Sequence, residues 1–332
     1  MSVTDVVVVG AGPAGLSAAL LLGRSRRSVV VVDAGEPRNA AAGHVQGFLT
    51  RDGVPPAELL SLGVEEVRRY GVEVRHGRVV DVTPIPPGAA ETSRARVTVE
   101  LDDGTSLAAR RVVLATGLRD ELPAVPGLSD RWGRDVLHCP YCHGWEVREA
   151  AVGVLVDRPE DAVKAFTMTQ WTDAVTVVLH GVDPDDVEPA VRRRLDALDI
   201  PVLPGPVTAL VLEDDALVAV RTPAGEVRLG ALVVQPRLVA SDALLTALGA
   251  HVQAGPSGHT VVAEPDGRTG VPHVFAAGNV TDPSSQVVMA AAAGYRTALA
   301  VDHDLIDEDV EAAVRRSAAG GHDDAPGAQP EG

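Results

Sequence analysis

The sequence predicts an α/β fold made of two Rossmann-like nucleotide-binding domains. Three observations predict it. Short valine-rich runs recur along the chain, as buried parallel strands require. The first of them leads into a glycine-rich turn and then a helical pattern. A second strand–helix–strand outline follows past residue 150. Composition agrees: 45% of the residues are hydrophobic but only 3% aromatic, and 33 Gly and 24 Pro supply turns between aliphatic strands.

Val6–Val9 reads as a first buried strand. Gly10-Ala11-Gly12-Pro13-Ala14-Gly15 comes next, then a helix over Leu16–Gly23 and a second strand, Ser28–Asp33, that ends in an acid. This is G-x-G-x-x-G placed between strand and helix. Its glycines permit the tight turn and the close approach of backbone to a pyrophosphate. The helix start offers that phosphate its amides and the positive end of its dipole. Asp33 is placed to accept a hydrogen bond from a ribose hydroxyl. In this context the motif specifies a dinucleotide.

Between residues 72 and 109 further strands are expected, among them Arg96–Leu101 with its turn Asp102-Asp103-Gly104. Arg111–Leu114 reads as another buried strand, closed by the small-residue turn Ala115-Thr116-Gly117. Strands Val152–Val156 and Ala174–Leu179 bracket a helix expected from about Asp161 to Trp171, and Ala231–Val234 ends this middle region. A third marker is the strand running into Phe275-Ala276-Ala277-Gly278-Asn279. The alanine-rich helix after it spans Gln286–Val301. Its start, at Gln286 and Val287, can meet a pyrophosphate or ribityl chain from the other side. The tail from Ala318 is rich in Gly, Asp and Pro and is expected to be disordered.

The chain has two cysteines, and both lie in His138-Cys139-Pro140-Tyr141-Cys142-His143-Gly144-Trp145-Glu146. The C-x-x-C spacing allows a disulfide across one tight turn. So small a loop stabilises little through chain entropy. Redox exchange is therefore expected, with the flanking histidines able to hold a proton or to lower a thiol pKa. The competing readings are two inert thiols or half of a zinc site, which needs further ligands that no other cysteine supplies. Metal binding is not expected.

A net charge of −17 argues against nucleic acid or an anionic membrane as partner. The apolar stretch Val6–Leu22 is broken by its glycines and is not read as a membrane span. Without a basic, cleavable leader pattern the expected location is cytoplasmic, where a disulfide is usually catalytic or transient.

These markers in this order resemble the low-molecular-weight thioredoxin reductase family. The resemblance rests on Gly10–Gly15, Ala115-Thr116-Gly117, the C-x-x-C and Phe275–Asn279, and covers about residues 4–315. It implies FAD held by a domain of two segments, 1–118 and 240–317. It implies an inserted domain, 119–239, that carries the cysteines, and a homodimer. The cofactor-binding residues it implies are Gly10, Gly12, Pro13, Ala14, Gly15 and Asp33, then Ala115, Thr116 and Gly117, then Gly278, Asn279, Gln286 and Val287. Asn279 stands where that family usually has Asp near the ribityl chain.

The larger departure is in the inserted domain. That family has a second glycine-rich turn there for NADPH, followed by a basic cluster for the 2′-phosphate. Here Val152–Leu155 leads into Val156-Asp157-Arg158-Pro159-Glu160-Asp161, and the next strand leads into His180-Gly181-Val182-Asp183-Pro184-Asp185-Asp186. Side chains and carboxylates replace the glycines and the arginines, so a nicotinamide site is not expected.

A C-x-x-C beside a flavin, without that donor, is similar to the dithiol oxidases of sulfur-containing natural product (antibiotic) biosynthesis, of the gliotoxin, holomycin and romidepsin type. The resemblance implies oxidation of a small-molecule dithiol to a disulfide, with O2 as acceptor and hydrogen peroxide as product. It further implies that Cys139 takes the attack of the substrate thiolate and that Cys142 lies against the flavin. A base is needed because the thiolate is the attacking form; His143 is the first choice and His138 the second. Tyr141 and Trp145 either line a small-molecule pocket or pack into the core. The alternatives are a reductase fed by ferredoxin or NADPH, and a flavin-bound redox sensor or resistance protein.

Overall fold

The computed structural model describes residues 3–86, 94–255 and 258–320. Strand β1 (Thr4–Val9) enters the glycine turn, and helix α1 (Pro13–Arg24) leaves it. The helix begins three residues earlier than the apolar pattern marks, because Pro13 is preset for a first helical position and lacks the N–H that would be orphaned there. Then follow β2 (Val29–Asp33), α2 (Pro56–Arg68), β3 (Glu73–His76), β4 (Val79–Pro84), β5 (Val97–Leu101) and β6 (Ser106–Leu114). They form one sheet in the order β3-β2-β1-β6-β5-β4.

The expected break between the 96–101 region and Arg111–Leu114 lies elsewhere. Ser106–Leu114 is a single strand whose first half pairs antiparallel with β5, while its second half pairs parallel with a strand from the far end of the chain.

The chain leaves this sheet through β7 (Leu118–Glu121). A second sheet takes β8 (Val136–Leu137), β9 (Val152–Val156), β10 (Val175–Leu179), β11 (Val202–Leu203) and, after a three-stranded meander β12 (Ala209–Glu213), β13 (Ala216–Thr222) and β14 (Gly225–Arg228), the strand β15 (Ala231–Val233). Its order is β11-β10-β9-β15-β8, and every pair is parallel. Helix α3 (Pro140–His143) follows β8, α4 (Lys164–Met168) follows β9, and α5 (Pro189–Ala197) follows β10. The helix expected over 161–171 is a 3-10 turn, Pro159–Val163, and the short α4. The chain returns along β16 (Arg237–Ala240), which pairs antiparallel with β7. Both passages between the two sheets thus run through one ribbon.

After α6 (Ala243–Ala247) and the hairpin β17 (Val252–Gly255) and β18 (Gly258–Val261), β19 (Val274–Ala276) rejoins the first sheet beside β6. Helix α7 (Val287–Gly320) covers it. This helix runs past residue 318, where the tail was expected to begin; residues 321–332 lie outside the described residues.

Two devices fix α7 on the sheet. At its start it crosses α1 with almost no gap: a Cβ on Gly294 would stand 1.9 Å from the Ala14 carbonyl oxygen. Further along, Asp304, Glu308 and Asp309 meet Arg110 and Arg111 of β6. Arg110 is 2% exposed and also pairs with Asp5 at 2.9 Å. Charges this deep in a strand are tolerated only when carboxylates converge on them. Gly294→Ala is expected to destabilise the protein by about 1–3 kcal/mol, since helix backbones must separate to admit the methyl group. Calorimetry checks this, and an unchanged melting temperature would show that the crossing is looser than drawn.

Candidate active site

A cavity of about 680 Å³ runs from the start of α1 to the cysteines, a size suited to a cofactor or drug-sized ligand. Gly10, Gly12, Pro13, Ala14 and Asp33 line one end; Ala115, Thr116 and Gly117 line its side. Gly278, Asn279, Gln286 and Val287 come from the opposite side, and His138, Cys139, Cys142 and His143 close the other end. Residues from the two sheets and from both ends of the chain meet here.

The glycines do different work. Gly10 has φ +104°, and a Cβ there would lie 2.5 Å from the Ala115 carbonyl oxygen, so only glycine lets the two turns approach. Gly12 is the N-cap of α1, and a Cβ on it would meet no atom within 4 Å. Space is kept open at a helix N-terminus that presents amides and a positive dipole end. Gly15 acts from behind the turn. It is not part of the cavity lining; a Cβ on it would fall 1.8 Å from the Gly10 carbonyl oxygen. Its task is packing α1 onto the turn.

Asp33 Oδ1 accepts from the Ala11 N–H at 2.7 Å and Oδ2 from the Gly35 N–H at 3.0 Å. The acid therefore holds the loop as well as facing the cavity, and each oxygen keeps a second lone pair for a ligand hydroxyl. Asn279 uses what Asp lacks. Its Nδ2 donates to the carbonyls of Asp282 and Ser285, at 3.1 and 2.9 Å, ordering the loop into α7. Its Oδ1 accepts from Arg38 at 3.4 Å. Arg38 is itself clamped by both oxygens of Asp120 at 2.7 and 2.8 Å.

Cys139 and Cys142 form a disulfide, with Cα atoms 5.3 Å apart. Cys139 is the N-cap of the one-turn helix α3, and the Cys142 N–H donates to the Cys139 carbonyl at 3.1 Å. Both cysteines are half-buried and face the cavity. Gln286 at the start of α7 brings its Nε2 to 3.8 Å from Cys139 Sγ. Gly144 lets Trp171 lie against the motif, since a Cβ there would sit 2.5 Å from the indole. Tyr141 stands edge-on to Trp171 at 5.5 Å and, with Phe166, lines a separate outer cleft. Trp145 is exposed, with the Arg148 guanidinium stacked 4.3 Å from its ring centre.

The histidines differ. Burial holds the His143 pKa below the usual imidazole value, against the opposing pull of Glu146. His138 is pushed down to about 4, by burial first and then by the Lys164 and Arg38 cations. Lys164 Nζ lies 3.3 Å from His138 Nδ1 and 3.3 Å from the His138 carbonyl oxygen. Sequence reading missed Lys164, Arg38, Asp120 and Gly144. One signal was available: Lys164 is the only lysine in the sequence, among 29 basic residues.

The exit of β9 is built unlike a nucleotide turn. Residues 159–163 coil as a 3-10 turn, and Arg158 pairs with Asp161 at 2.8 Å. Burial raises the Asp161 pKa even though Arg158 opposes it. After β10, the Asp183 carboxylate accepts from the Asp185 N–H at 2.9 Å, and Arg192 pairs with Asp185 at 2.8 Å. Carboxylates occupy both turns, and they repel a diphosphate.

The sequence pattern of the pyridine nucleotide-disulphide oxidoreductase family matches residues 4–156. The thioredoxin reductase sirT of Leptosphaeria maculans is 31% identical over 329 residues, covering 95% of this chain and 98% of that protein. The crystal structure of HlmI superposes with a TM-score of 0.88 at 46% identity, covering 96% of this chain and 97% of that one. The thioredoxin reductase TrxB of Bacillus anthracis superposes with a TM-score of 0.83 at 28% identity, covering 92% and 99%. Among the described residues no helix is long and apolar enough to cross a membrane, and none cluster as a metal site.

Proposed function

The chain belongs to the pyridine nucleotide-disulphide oxidoreductases, in their thioredoxin reductase-like branch, and on that footing we propose that it is an FAD-dependent dithiol oxidase. The observation that carries this reading is the exit of β9, where a 3-10 turn and the Arg158–Asp161 pair stand in place of a glycine cradle. With a redox disulfide and no seat for a nicotinamide donor, electrons enter from substrate thiols.

The cavity suits FAD. Gly12 leaves open space at the start of α1, Gly10 and Ala115–Gly117 bring backbone to its wall, and Asp33 offers free lone pairs to a ribose. Gly278, Asn279, Gln286 and Val287 would hold the ribityl side. When bound, FAD supplies a two-electron acceptor that can be emptied by O2, giving hydrogen peroxide.

The chain's own part is thiol–disulfide exchange. A substrate thiolate attacks Cys139 Sγ, the Cys139–Cys142 bond breaks, and Cys142 leaves as the thiolate. The second substrate thiolate then attacks the substrate sulfur of the mixed disulfide and expels Cys139. The substrate loses two electrons and two protons, and the cysteines take both electrons. His143 accepts a substrate proton. The test is to mix a small dithiol with enzyme without NADPH: flavin bleaching under anaerobic conditions and peroxide in air are expected. Bleaching that needs NADPH would sink the proposal and support the reductase reading, which the names of the curated relatives favour.

The pH profile follows from His143. A base must be neutral to act, so its contribution is present above its pKa and lost below. Because burial lowers that pKa, the acid limb of kcat/KM should lie below the range of a free imidazole. His143→Gln should remove this limb and slow turnover about 10²–10⁴-fold. An unchanged limb would assign the base elsewhere.

A further inference from the structure

Lys164 begins α4, and its ammonium has three hydrogens. Three acceptors surround it: His138 Nδ1 and the His138 carbonyl, each at 3.3 Å, and the Val234 carbonyl at 3.5 Å. Among the described residues no carboxylate pairs with it; Asp161, the acid that acts on it through space, is held by Arg158. A half-buried cation is thus seated on neutral groups one peptide bond from Cys139. An arginine would not serve equally: its planar fork does not fit three converging acceptors, whereas a compact ammonium does. Every other basic residue of the sequence apart from histidine is arginine.

The seating dictates the tautomer of His138. His138 Nδ1 faces two partners, the Val234 carbonyl at 3.5 Å and the Lys164 ammonium at 3.3 Å; an ammonium only donates, so with the nearer partner Nδ1 accepts and the ring proton lies on Nε2. His138 lines the cavity with both cysteines, and Nε2 is the nitrogen left to face it. The charges that act on this histidine are Lys164 from α4, Arg38 from the turn after β2, and Asp120 from β7. Burial first, and then two cations against one acid, keep the ring neutral.

We infer that Lys164 is the positioning residue of the redox pair: it fixes His138 as an Nε2–H hydrogen-bond donor and holds a positive charge beside Cys139 that favours the reduced, thiolate-bearing form. On reduction the pair takes two electrons and one proton, leaving one thiol and one thiolate; the second substrate proton leaves for solvent. The inference rests on the pair cycling between disulfide and dithiol, in either direction of electron flow. It assigns His138 to donation, and leaves proton removal to His143.

The lone lysine makes the test direct. Enzyme carrying 13C-lysine gives one side-chain lysine signal, and its shift follows the ionisation of Nζ. The disulfide form should titrate with a midpoint near the value of about 8 to which burial, with Arg158, lowers it. Because coupling between two sites is reciprocal, reduction of the pair should move that midpoint to higher pH. A midpoint identical in the two redox states overturns the inference.

Trapping of the reduced enzyme with iodoacetamide across pH supplies a second measurement. In Lys164→Met the onset of Cys alkylation should move to higher pH, and the glutathione equilibrium should shift at least about tenfold toward the disulfide. His138→Gln, which retains a donor, should alkylate nearly as the parent does. An unshifted alkylation profile in Lys164→Met overturns the inference, as does an alkylation onset in His138→Gln displaced as far as in Lys164→Met. Neither measurement uses dithiol turnover, so failure of the oxidase reading leaves their outcome separate.

Discussion

Cys139→Ser and Cys142→Ser should each lower dithiol turnover at least about 10³-fold, because the two sulfurs act as one unit and neither half-reaction survives the loss of either. Without Cys139 the substrate has no sulfur to attack. Without Cys142 the mixed disulfide forms from no leaving group, and no thiolate is produced at the inner end of the cavity. The fold should be indifferent to both changes. The loop closed by this disulfide is minimal, so its chain-entropy contribution is small, and α3 is anchored by Gly144 against Trp171 rather than by the bond itself. Both variants should therefore remain yellow and melt close to the parent. Dithiol oxidation retained by either one would remove the pair from the mechanism. A variant that loses flavin along with activity would instead point to a structural role.

Gly12→Asp should abolish flavin content while leaving the protein folded. A Cβ on Gly12 meets nothing within 4 Å, so no part of the chain resists a side chain there. That position is the N-cap of α1, where Asp is a favourable residue for a helix on its own. The added carboxylate would enter the cavity at the place where amides and dipole favour a ligand's negative charge, and it would supply that charge itself. Affinity for FAD should fall at least about 100-fold. Measured flavin occupancy and circular dichroism together decide the matter. A colourless, fully helical protein is expected, and a variant that binds flavin normally would place the diphosphate elsewhere. Gly10→Ala is no substitute for this experiment, because its Cβ collides with Ala115 and the fold suffers as well.

How much was legible depended on how close in sequence the cooperating residues lie. Gly10–Gly15 and Asp33 were readable because a short contiguous segment both makes the turn and presents its backbone. The cysteine pair was readable for the same reason. Gly15 belongs to the same motif and packs against Gly10; a motif records that glycine is needed but not which neighbour excludes the Cβ. Arg111–Leu114 was legible as a buried strand, but its continuation back to Ser106 was not, because Arg110 and Arg111 interrupt the apolar pattern. Ser106–Leu114 is one strand: β1 lies along one edge, and the other edge pairs first with β5 and then with β19, which is far away in the chain.

The electrostatics of the site were the least legible part. His138 and His143 look equivalent as flanks of C-x-x-C. Lys164, 26 positions from His138, makes them different. Arg38 and Asp120, 82 positions apart, brace Asn279 without either belonging to a motif.

The amino-acid sequence alone determined the α/β class, the glycine-rich turn after β1, the C-x-x-C pair and the absence of glycines at the exit of β9. Each of these is a property of a few adjacent residues, where backbone freedom or a sulfur pair is specified directly. Only the tertiary structure decided that the cavity joins Gly12 to Cys142, that Asn279 orders the approach to α7, and that a single lysine sits against His138. Those depend on which surfaces the two sheets and the final helix bring together. Charge and hydrogen bonding act through a few ångströms of space, a distance that separation along the chain does not encode.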